Sequence, residues 1–436
     1  MGRRWAMVVG GAVLMAACTA QGRDWPQWRG PFLNGSTDET NLPAQWTTTE
    51  NIAWKTPLAG PSGATAVISG GRVFVSSTDR DTQDLWAICL DEKTGRQLWR
   101  HRMGTVDREF PRNNMASPSP VADGERVFFF YGNGDLTAMD YDGGRLWQRR
   151  LEDEYGNLAY LFGFSVSPLL HNGRLYINVL RRPTPYREPE AAGPLDSFLL
   201  CLEAATGQTV FKQVRAPAPG VDDETHETYS TAMEREKDGR AEILVMGADC
   251  VTGHDADTGA ELWRYCYGQE VQENWRTIPS LVVAGDLIIA VRPKYHGVLA
   301  LKTGGRGALS EADVAWRYDG PMPDCTTPLY YDGLLYLLDG IMNGKVVTCL
   351  EPKTGRQLWQ GTIGGRMPWR ASLTGADGRL YCINESGEVI VLRAGGDKLE
   401  VLYRYDMEER PIQSSIAVAN GRLFIRTAEN LYCVGK

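Results

Sequence analysis

The sequence predicts an all-β protein, an eight-bladed β-propeller built from four-stranded antiparallel blades. Two repeating signals predict it. A motif of the form Cys-x-acid-x-x-Thr-Gly-x-x-x-aromatic begins at Cys89, Cys201 and Cys349, and again at 253 with Gly in the first position. A small residue with an apolar pair, followed by a turn that contains Gly, recurs in step with this motif. Repeats at intervals of roughly 40 to 50 residues are typical of propeller blades.

The aromatic residue that ends each motif marks the outermost strand of one blade. An aromatic ring at this position can be buried between neighbouring blades while its polar atom finds an acceptor. We therefore predict a structural docking role for these aromatics, which would account for six of the 13 Trp residues. Eight positions follow one another at intervals of 43 to 64 residues: Trp54, Trp99, Trp147, Phe211, Trp263, Trp316, Trp359 and Tyr403.

The second signal marks the hairpin between the first two strands of each blade. Tight hairpin turns need positive φ, which Gly, Asn and Asp adopt most readily. Eight hairpins and eight closing aromatics predict eight blades. The copies span residues 65–71, 119–124, 167–173, 231–239, 279–285, 327–333, 372–378 and 414–421.

The two ends of this region predict how the ring closes. Residues 430–434 form the third strand of the last blade with no fourth strand after it, and residues 51–57 supply a strand before the first full blade. We expect 52–55 to pair with 431–434. That pairing would complete the last blade and remove its open edge, which is otherwise prone to aggregation.

The N-terminus predicts export. Arg3 and Arg4 precede an apolar run at 5–17 that is too short to span a membrane, so residues 1–20 are predicted to be a signal peptide. Residues 15–18 resemble a bacterial lipobox, which predicts lipidation of Cys18; cleavage after Ala20 is the alternative.

Residues 21–50 are predicted to form an extended leader that clasps one face of the propeller, and residues 51–436 are predicted to form the propeller itself. The expected location is the periplasm, with a lipid anchor in a membrane.

Composition limits the partners. The net charge of −8 and the lack of a basic cluster exclude nucleic acid as the expected partner. Contact with a membrane is expected only through the lipid, and a monomer is expected.

Four of the nine cysteines share one blade position, so they are expected to be small buried residues too far apart to bond: Cys89, Cys201, Cys349 and Cys433. A bridge between Cys250 and Cys266 is left open.

Polar and aromatic residues in the segments that lead into the innermost strands are candidates for a binding site, because these segments surround the mouth of the channel. Arg beside Trp could hold an anionic or sugar-like ligand by cation–π packing and bidentate hydrogen bonds. The alternative is that these side chains cap backbone carbonyls at the channel end. The candidates are Arg112, Asn113, Asn114, Tyr229, Trp275, Arg276, Asp324, Trp369 and Arg370.

Two insertions lengthen the third and fourth repeats, at 181–197 and 217–228. The second is acidic and includes Asp222, Glu224 and Glu227. Clustered oxygens suit calcium, but the ordered spacing of a known calcium loop is lacking, so a solvated acidic loop is predicted. No metal site and no catalytic constellation is predicted from the sequence. Long loops on a rigid scaffold are where partner contacts concentrate.

The repeated motif and the eightfold count resemble the pyrroloquinoline-quinone-like (PQQ-like) propeller repeat family, with its tryptophan docking motif. The leader Trp25-Pro-Gln-Trp-Arg-Gly-Pro31, followed by Asn34-Gly35, looks like exported proteins of the non-enzymatic branch. That branch resembles the lipoprotein of the outer-membrane β-barrel assembly machine. The resemblance implies a non-catalytic scaffold that binds an envelope protein or a polysaccharide through its loops and needs no cofactor.

The other branch implies a quinoprotein dehydrogenase that uses PQQ and calcium to oxidise an alcohol or a sugar. In that family two adjacent, disulfide-linked cysteines cover the quinone, and this chain has no Cys-Cys pair. The resemblance also requires a calcium ion held by carboxylate and amide oxygens, and an Asp base. Asn113, Asn114 and Asp324 are candidate oxygens, but no spacing singles them out. The sequence therefore favours the non-catalytic branch.

Overall fold

The structure, a computed structural model, describes residues 23–158, 160–184, 195–221, 223–237, 239–267, 275–342 and 344–435. The described residues form eight β-sheets whose innermost strands succeed one another around a channel. The predicted eight-bladed propeller is confirmed. The predicted signal peptide and Cys18 lie outside the described residues. Within them, no helix has the length and apolar character needed to cross a membrane.

Each of the first seven blades is an antiparallel meander that starts at the channel and runs outward; the eighth has the order β31, β32, β33, β1. The one α-helix of the described chain is α1 (Leu151–Tyr155), and short 3₁₀ turns span Asp223–His226, Pro293–Tyr295 and Glu311–Asp313. The strands are, in chain order, β1 (Ile52–Pro57), β2 (Val67–Ser69), β3 (Arg72–Thr78), β4 (Asp84–Asp91), β5 (Gln97–Thr105), β6 (Val121–Ala122), β7 (Arg126–Phe130), β8 (Asp135–Asp140), β9 (Arg145–Arg150), β10 (Leu169–His171), β11 (Arg174–Val179), β12 (Phe198–Glu203), β13 (Thr209–Val214), β14 (Met233–Lys237), β15 (Arg240–Gly247), β16 (Cys250–Asp255), β17 (Glu261–Cys266), β18 (Val282–Ala284), β19 (Leu287–Val291), β20 (Val298–Lys302), β21 (Gly307–Ala308), β22 (Val314–Tyr318), β23 (Leu329–Tyr331), β24 (Leu334–Asp339), β25 (Val346–Leu350), β26 (Gln357–Thr362), β27 (Thr374–Ala376), β28 (Arg379–Ile383), β29 (Glu388–Arg393), β30 (Val401–Asp406), β31 (Ala417–Ala419), β32 (Arg422–Arg426) and β33 (Asn430–Val434).

A hydroxyl residue stands just before each innermost strand, and its oxygen accepts a hydrogen bond from the backbone N–H of the equivalent residue in the preceding blade. Seven such bonds, of 2.9 to 3.2 Å, occur in the described part of the chain. The small residues of the second sequence signal therefore join the blades around the channel. Donors and acceptors run in the order Thr65, Ser119, Ser167, Thr231, Ser280, Thr327, Ser372 and Ser415.

The ring closes by pairing its first strand with its last. β1 lies antiparallel to β33, with Trp54 opposite Cys433 and Thr56 opposite Leu431. The predicted pairing of 52–55 with 431–434 is confirmed. Since the eighth blade combines strands from opposite ends of the domain, the ring cannot open without breaking this sheet.

The Glu409 carboxylate is hydrogen-bonded to both strands of this closure. Glu409 accepts hydrogen bonds from the side chains of Lys55 on β1, Asn430 and Tyr432 on β33, and Thr427 in the turn before β33. Burial alone would raise the pKa of Glu409, but these hydrogen bonds outweigh it and lower the pKa. The ionised carboxylate therefore stabilises the closed blade.

The docking aromatics connect the outer strands of successive blades. Five of their indoles donate the ring N–H to a carbonyl oxygen of the next blade, at 2.8 to 3.2 Å. The ring of Trp54 also covers Gly95 of the Thr-Gly turn, where φ is +69° and an added Cβ would lie 2.5 Å from the ring. The five pairs are Trp54 with Glu92, Trp99 with Tyr141, Trp147 with Ala204, Trp316 with Pro352, and Trp359 with Gly395.

At the other three docking positions, Phe211, Trp263 and Tyr403, no indole N–H bonds to a carbonyl oxygen of the next blade. Phe211 covers Gly259 of the next blade, and the hydroxyl of Tyr403 donates to the carbonyl of Trp46 in the leader. Trp263 instead donates its N–H to the carboxylate of Glu242 in its own blade, at 3.2 Å. Its ring lies over Gly253, where an added Cβ would be 2.2 Å from the indole nitrogen.

This change in the fourth blade explains the one motif copy that begins with Gly. A side chain at 253 would collide with the indole of Trp263.

The fourth blade has a fifth strand. The loop of the fifth blade supplies β21, which adds to the outer edge of β17 as a parallel strand. On the same blade Cys250 and Cys266 face each other on β16 and β17 and form a disulfide, so the bridge that the sequence left open is present.

Residues 23–50 run across one end of the ring. Trp25 pairs with Ile68 of the first blade through two backbone hydrogen bonds of 2.9 and 3.0 Å, and the Gln27 amide bonds to the backbone of Leu170 in the third blade. The later part pairs with Gly375 of the seventh blade. The leader thus contacts both sides of the ring at the hairpin ends of the innermost strands.

Arg29 anchors the leader. Its side chain is 2% exposed and donates to the carbonyl oxygens of Leu373 at 3.0 Å, Pro328 at 2.8 Å and Asn34 at 2.8 Å. Burial lowers the pKa of Arg29 to about 9, so the guanidinium remains charged at neutral pH. Gly35, with φ of +88°, packs so closely that an added Cβ would lie 2.1 Å from this guanidinium.

Replacing Ser280 by Ala tests the hydrogen bonds between blades. Ser280 is fully buried, and losing its hydroxyl leaves the N–H of Thr231 without an acceptor. We expect the free energy of unfolding in urea to fall by about 1–3 kcal/mol. Ser165→Ala is the control, since Ser165 forms no hydrogen bond with the described chain, and it should change stability by less than about 0.5 kcal/mol. Equal losses in both variants would contradict the role assigned to the hydroxyls.

Replacing Glu409 by Gln tests the closure and its pH dependence. At pH 7 the variant should unfold with a free energy lower by about 1–2 kcal/mol, because the charged acceptor is lost. The folded-state pKa of Glu409 lies below the ordinary value of 4.5, so its stabilisation is present above that pH and disappears as pH falls through the folded pKa. Urea titrations at pH 7 and at acid pH should show the two proteins converging. A gap that persists in acid would refute this role.

The control for this variant is Glu400→Gln. Glu400 pairs with Arg393 on the exposed outer surface of the seventh blade, 2.6 Å away. Exposed ion pairs contribute little, so at pH 7 the free energy of unfolding should change by less than about 0.5 kcal/mol.

Replacing Gly35 by Ala should release the leader. The new methyl group must displace the Arg29 guanidinium from its carbonyl acceptors, in addition to the cost of positive φ. Gly71→Ala is a matched control, because Gly71 has φ of +75° but no atom within 4 Å of the added Cβ. We expect a cost of about 1–2 kcal/mol for Gly71→Ala and clearly more for Gly35→Ala, with faster tryptic cleavage after Arg29 only in the latter. Identical melting and cleavage would be evidence against the anchor.

Candidate functional site

The channel contains a cavity of about 230 Å³. Its wall carries hydroxyl residues that lead into the innermost strands, among them Ser119, Ser167 and Thr231. Trp28 of the leader lines the cavity at the end where the leader crosses the ring, opposite the mouth. The mouth is lined by Arg112, Asn113, Phe162, Tyr229, Arg276, Arg370 and Gln413.

A second cavity of about 520 Å³ adjoins the first toward solvent. The two share Arg112, Asn113, Arg370 and Gln413 as lining residues. We call them the inner and outer cavities. Together they form a continuous depression that leads from the mouth surface to Trp28.

Five of the nine residues predicted from the sequence line the inner cavity: Arg112, Asn113, Tyr229, Arg276 and Arg370. Asn114 lines the outer cavity. The other three line neither. The indole N–H of Trp369 is bonded to Gly364 in the core, while Asp324 pairs with Lys294, which lies over the ring of Trp275.

Two of the three arginines at the mouth are held by neighbouring carboxylates. Arg276 is bonded to Glu224, and its guanidinium lies 4.5 Å from the centre of the Phe162 ring. Arg370 lies 2.7 Å from the Glu385 carboxylate. These contacts fix the two guanidinium groups but use only part of their five N–H donors.

Arg112, unlike Arg276 and Arg370, has no carboxylate partner in the described part of the chain. Its side chain is exposed and forms no hydrogen bond or ion pair with the described part of the chain. Its backbone is fixed, with φ of +63°, and its carbonyl accepts a hydrogen bond of 2.9 Å from the Gln413 amide. The fixed backbone keeps Arg112 on the rim, and its guanidinium is available to a ligand.

The acidic insertion is not the solvated loop that the sequence predicted. Glu227 is fully buried and accepts hydrogen bonds from Arg182 at 2.8 Å, the Tyr229 hydroxyl at 3.0 Å and the backbone N–H of Leu161 at 3.2 Å. Burial raises the pKa of Glu227, and the bond to Arg182 opposes this. The loop is pulled inward because arginines from other segments pair with it; Asp222 lies outside the described residues.

Sequence reasoning missed several residues of the inner cavity. The sequence places Trp28 only in the clasp, and it uses the hydroxyl residues only to mark where each innermost strand begins. Cys325 also lines the cavity, 3.5 Å from an Arg370 nitrogen, and burial raises the pKa of its thiol to about 11, so the thiol is protonated at neutral pH. The hydroxyl periodicity was the signal that could have identified the wall.

The described residues do not fit a quinone held by calcium. Calcium takes six to eight oxygen ligands, carboxylates foremost. No carboxylate belongs to the described lining of the inner cavity, and the described chain contains no group of three or more His, Cys, Asp or Glu able to hold a metal. The amide oxygen of Asn113 is already bonded to the backbone of Asn114.

Comparison with known proteins gives one family. The family model described as outer membrane protein assembly factor BamB matches residues 32–181, 247–360 and 342–434. Among solved structures, BamB from Moraxella catarrhalis has a TM-score of 0.58 at 13% identity, covering 88% of this chain and 99% of that chain. No curated protein sequence matches.

Two dehydrogenases share the architecture. A europium-containing methanol dehydrogenase has a TM-score of 0.69 at 9% identity, covering 95% of this chain and 98% of that chain. The quinohemoprotein alcohol dehydrogenase from Comamonas testosteroni has a TM-score of 0.66 at 13% identity, covering 95% and 81%. At such identities a structural likeness establishes the fold alone. The family model matches most of the residues, and the chain therefore belongs to the PQQ-like β-propeller family described as outer membrane protein assembly factor BamB.

Proposed function

We propose that this protein is a non-catalytic scaffold of the cell envelope that binds a protein or polysaccharide partner through the loops around the cavity mouth. In this proposal it is exported to the periplasm and held to a membrane by a lipid at Cys18, and it acts as a monomer without a cofactor. The family description, which concerns outer membrane protein assembly, supports an envelope location.

The observation that carries the proposal is the character of the mouth face. The described parts of both long insertions, 181–184 with 195–197 and 217–221 with 223–228, lie at this face of the ring; residues 185–194 and 222 lie outside the described chain. Met342 and Met367 are 53% and 43% exposed in loops of the same face. Exposed flexible thioethers suit adaptable contacts with a partner, and a rigid ring beneath them limits the entropy lost on binding.

A quinoprotein dehydrogenase using PQQ and calcium is the alternative, because such enzymes share the fold. The lining residues argue against it, since the inner cavity offers arginines and hydroxyls rather than the carboxylate oxygens that calcium needs.

Photo-crosslinking tests the scaffold function. A photoreactive phenylalanine placed at 342 or 367 in the full-length protein should give a discrete adduct in intact cells, and protease sensitivity of the added mass will show whether the partner is protein or polysaccharide. Val401 is the matched control, since it is 43% exposed but lies on the outer strand β30. Met367→Asp should weaken binding to the partner so identified by about tenfold.

Adducts of equal yield at all three positions, or none at 342 and 367, would refute the proposal. Reduction of a dye after addition of PQQ and calcium, with an alcohol or a sugar as the substrate, would establish the dehydrogenase instead.

A further inference from the structure

We propose that the inner cavity binds the carboxylate group of a small organic acid. This site is a property of the isolated chain and stands apart from the partner contacts of the mouth loops.

The charge of the lining favours an anion. Every charged side chain among the described lining residues of the inner cavity is an arginine: Arg112, Arg276 and Arg370. Glu224 and Glu385, which pair with two of them, are not part of that lining. The carboxylates therefore position the guanidiniums while the remaining N–H donors stay available, and the planar fork of Arg matches a carboxylate.

The uncharged wall adds donors. The oxygens of Ser119, Ser167 and Thr231 each accept a backbone N–H from the preceding blade. Each hydroxyl proton has no acceptor in the described chain. Ser165 lines the same cavity and forms no hydrogen bond with the described chain. The hydroxyls can therefore donate to a ligand, and a carboxylate, which only accepts, fits such a wall.

Two of the acceptors at the mouth, on Tyr229 and Asn113, are already used. The Tyr229 hydroxyl is bonded to Glu227 and also accepts the N–H of Phe162. The Asn113 amide oxygen is bonded to Asn114 and Ser117. The charged groups among the described lining residues are all arginines, so the site favours an anionic ligand over a cation.

The size limits the ligand. The inner cavity would hold about eight water molecules at roughly 30 Å³ each, which suits a short mono- or dicarboxylate. Trp28, Phe162 and Ile278 supply apolar surface for a short carbon chain.

Isothermal titration of the full chain tests this site, with succinate and butyrate as probes, phosphate as a second anion and choline as a cation. We expect saturable binding of at least one carboxylate, and weakening by about tenfold in Arg112→Gln. This variant removes an exposed charge without a partner in the described chain, so folding should be preserved. The matched control Arg356→Gln removes an exposed arginine on the outer turn of the sixth blade and should leave the Kd unchanged.

Ser165→Ala provides an independent check, because it should weaken carboxylate binding by a few-fold while leaving the urea midpoint unchanged. The absence of carboxylate binding up to about 10 mM would overturn the proposal. So would binding that Arg112→Gln does not affect, phosphate binding as tight as that of the carboxylates, or a site that takes only an acidic peptide such as oligoglutamate.

Discussion

The structure depends on a hydrogen bond that repeats from blade to blade around the channel, in which a backbone N–H meets the hydroxyl oxygen of the next sheet. Apolar packing between sheets is strong but has no direction. The hydrogen bond is directional and fixes how each sheet is turned relative to its neighbour. At the outer rim five docking indoles bond to the turn of the next blade, so four junctions are fixed near both of their edges by these two kinds of bond.

This arrangement also determines the chemistry of the channel. A hydroxyl that accepts a backbone N–H keeps its own proton for another partner, and the ring places such protons around the wall. Arg276 and Arg370 are held at the rim by carboxylates that lie outside the inner lining. The interaction that joins the blades thus leaves the interior rich in donors. Trp28 of the leader also lines this interior.

Periodic features could be predicted from the sequence, because a propeller repeats the same local contacts. The blade count, the hairpins and the pairing of β1 with β33 all follow from spacing. Features that join distant segments could not be predicted in this way. Glu227 meets Arg182 from another segment, and that pairing has no local signature. Trp263 ends an ordinary motif copy yet folds back onto its own blade; Gly253 was the one sign of it.

The sharing of the eighth sheet between β1 and β33 has a consequence for the order of events in folding. Contacts between residues so far apart in the chain carry a large loop-closure cost and form slowly. A nascent polypeptide cannot assemble this sheet until residues 430–434 have emerged. The ring therefore closes only at the end, and an incomplete chain presents unpaired strand edges to chaperones and proteases.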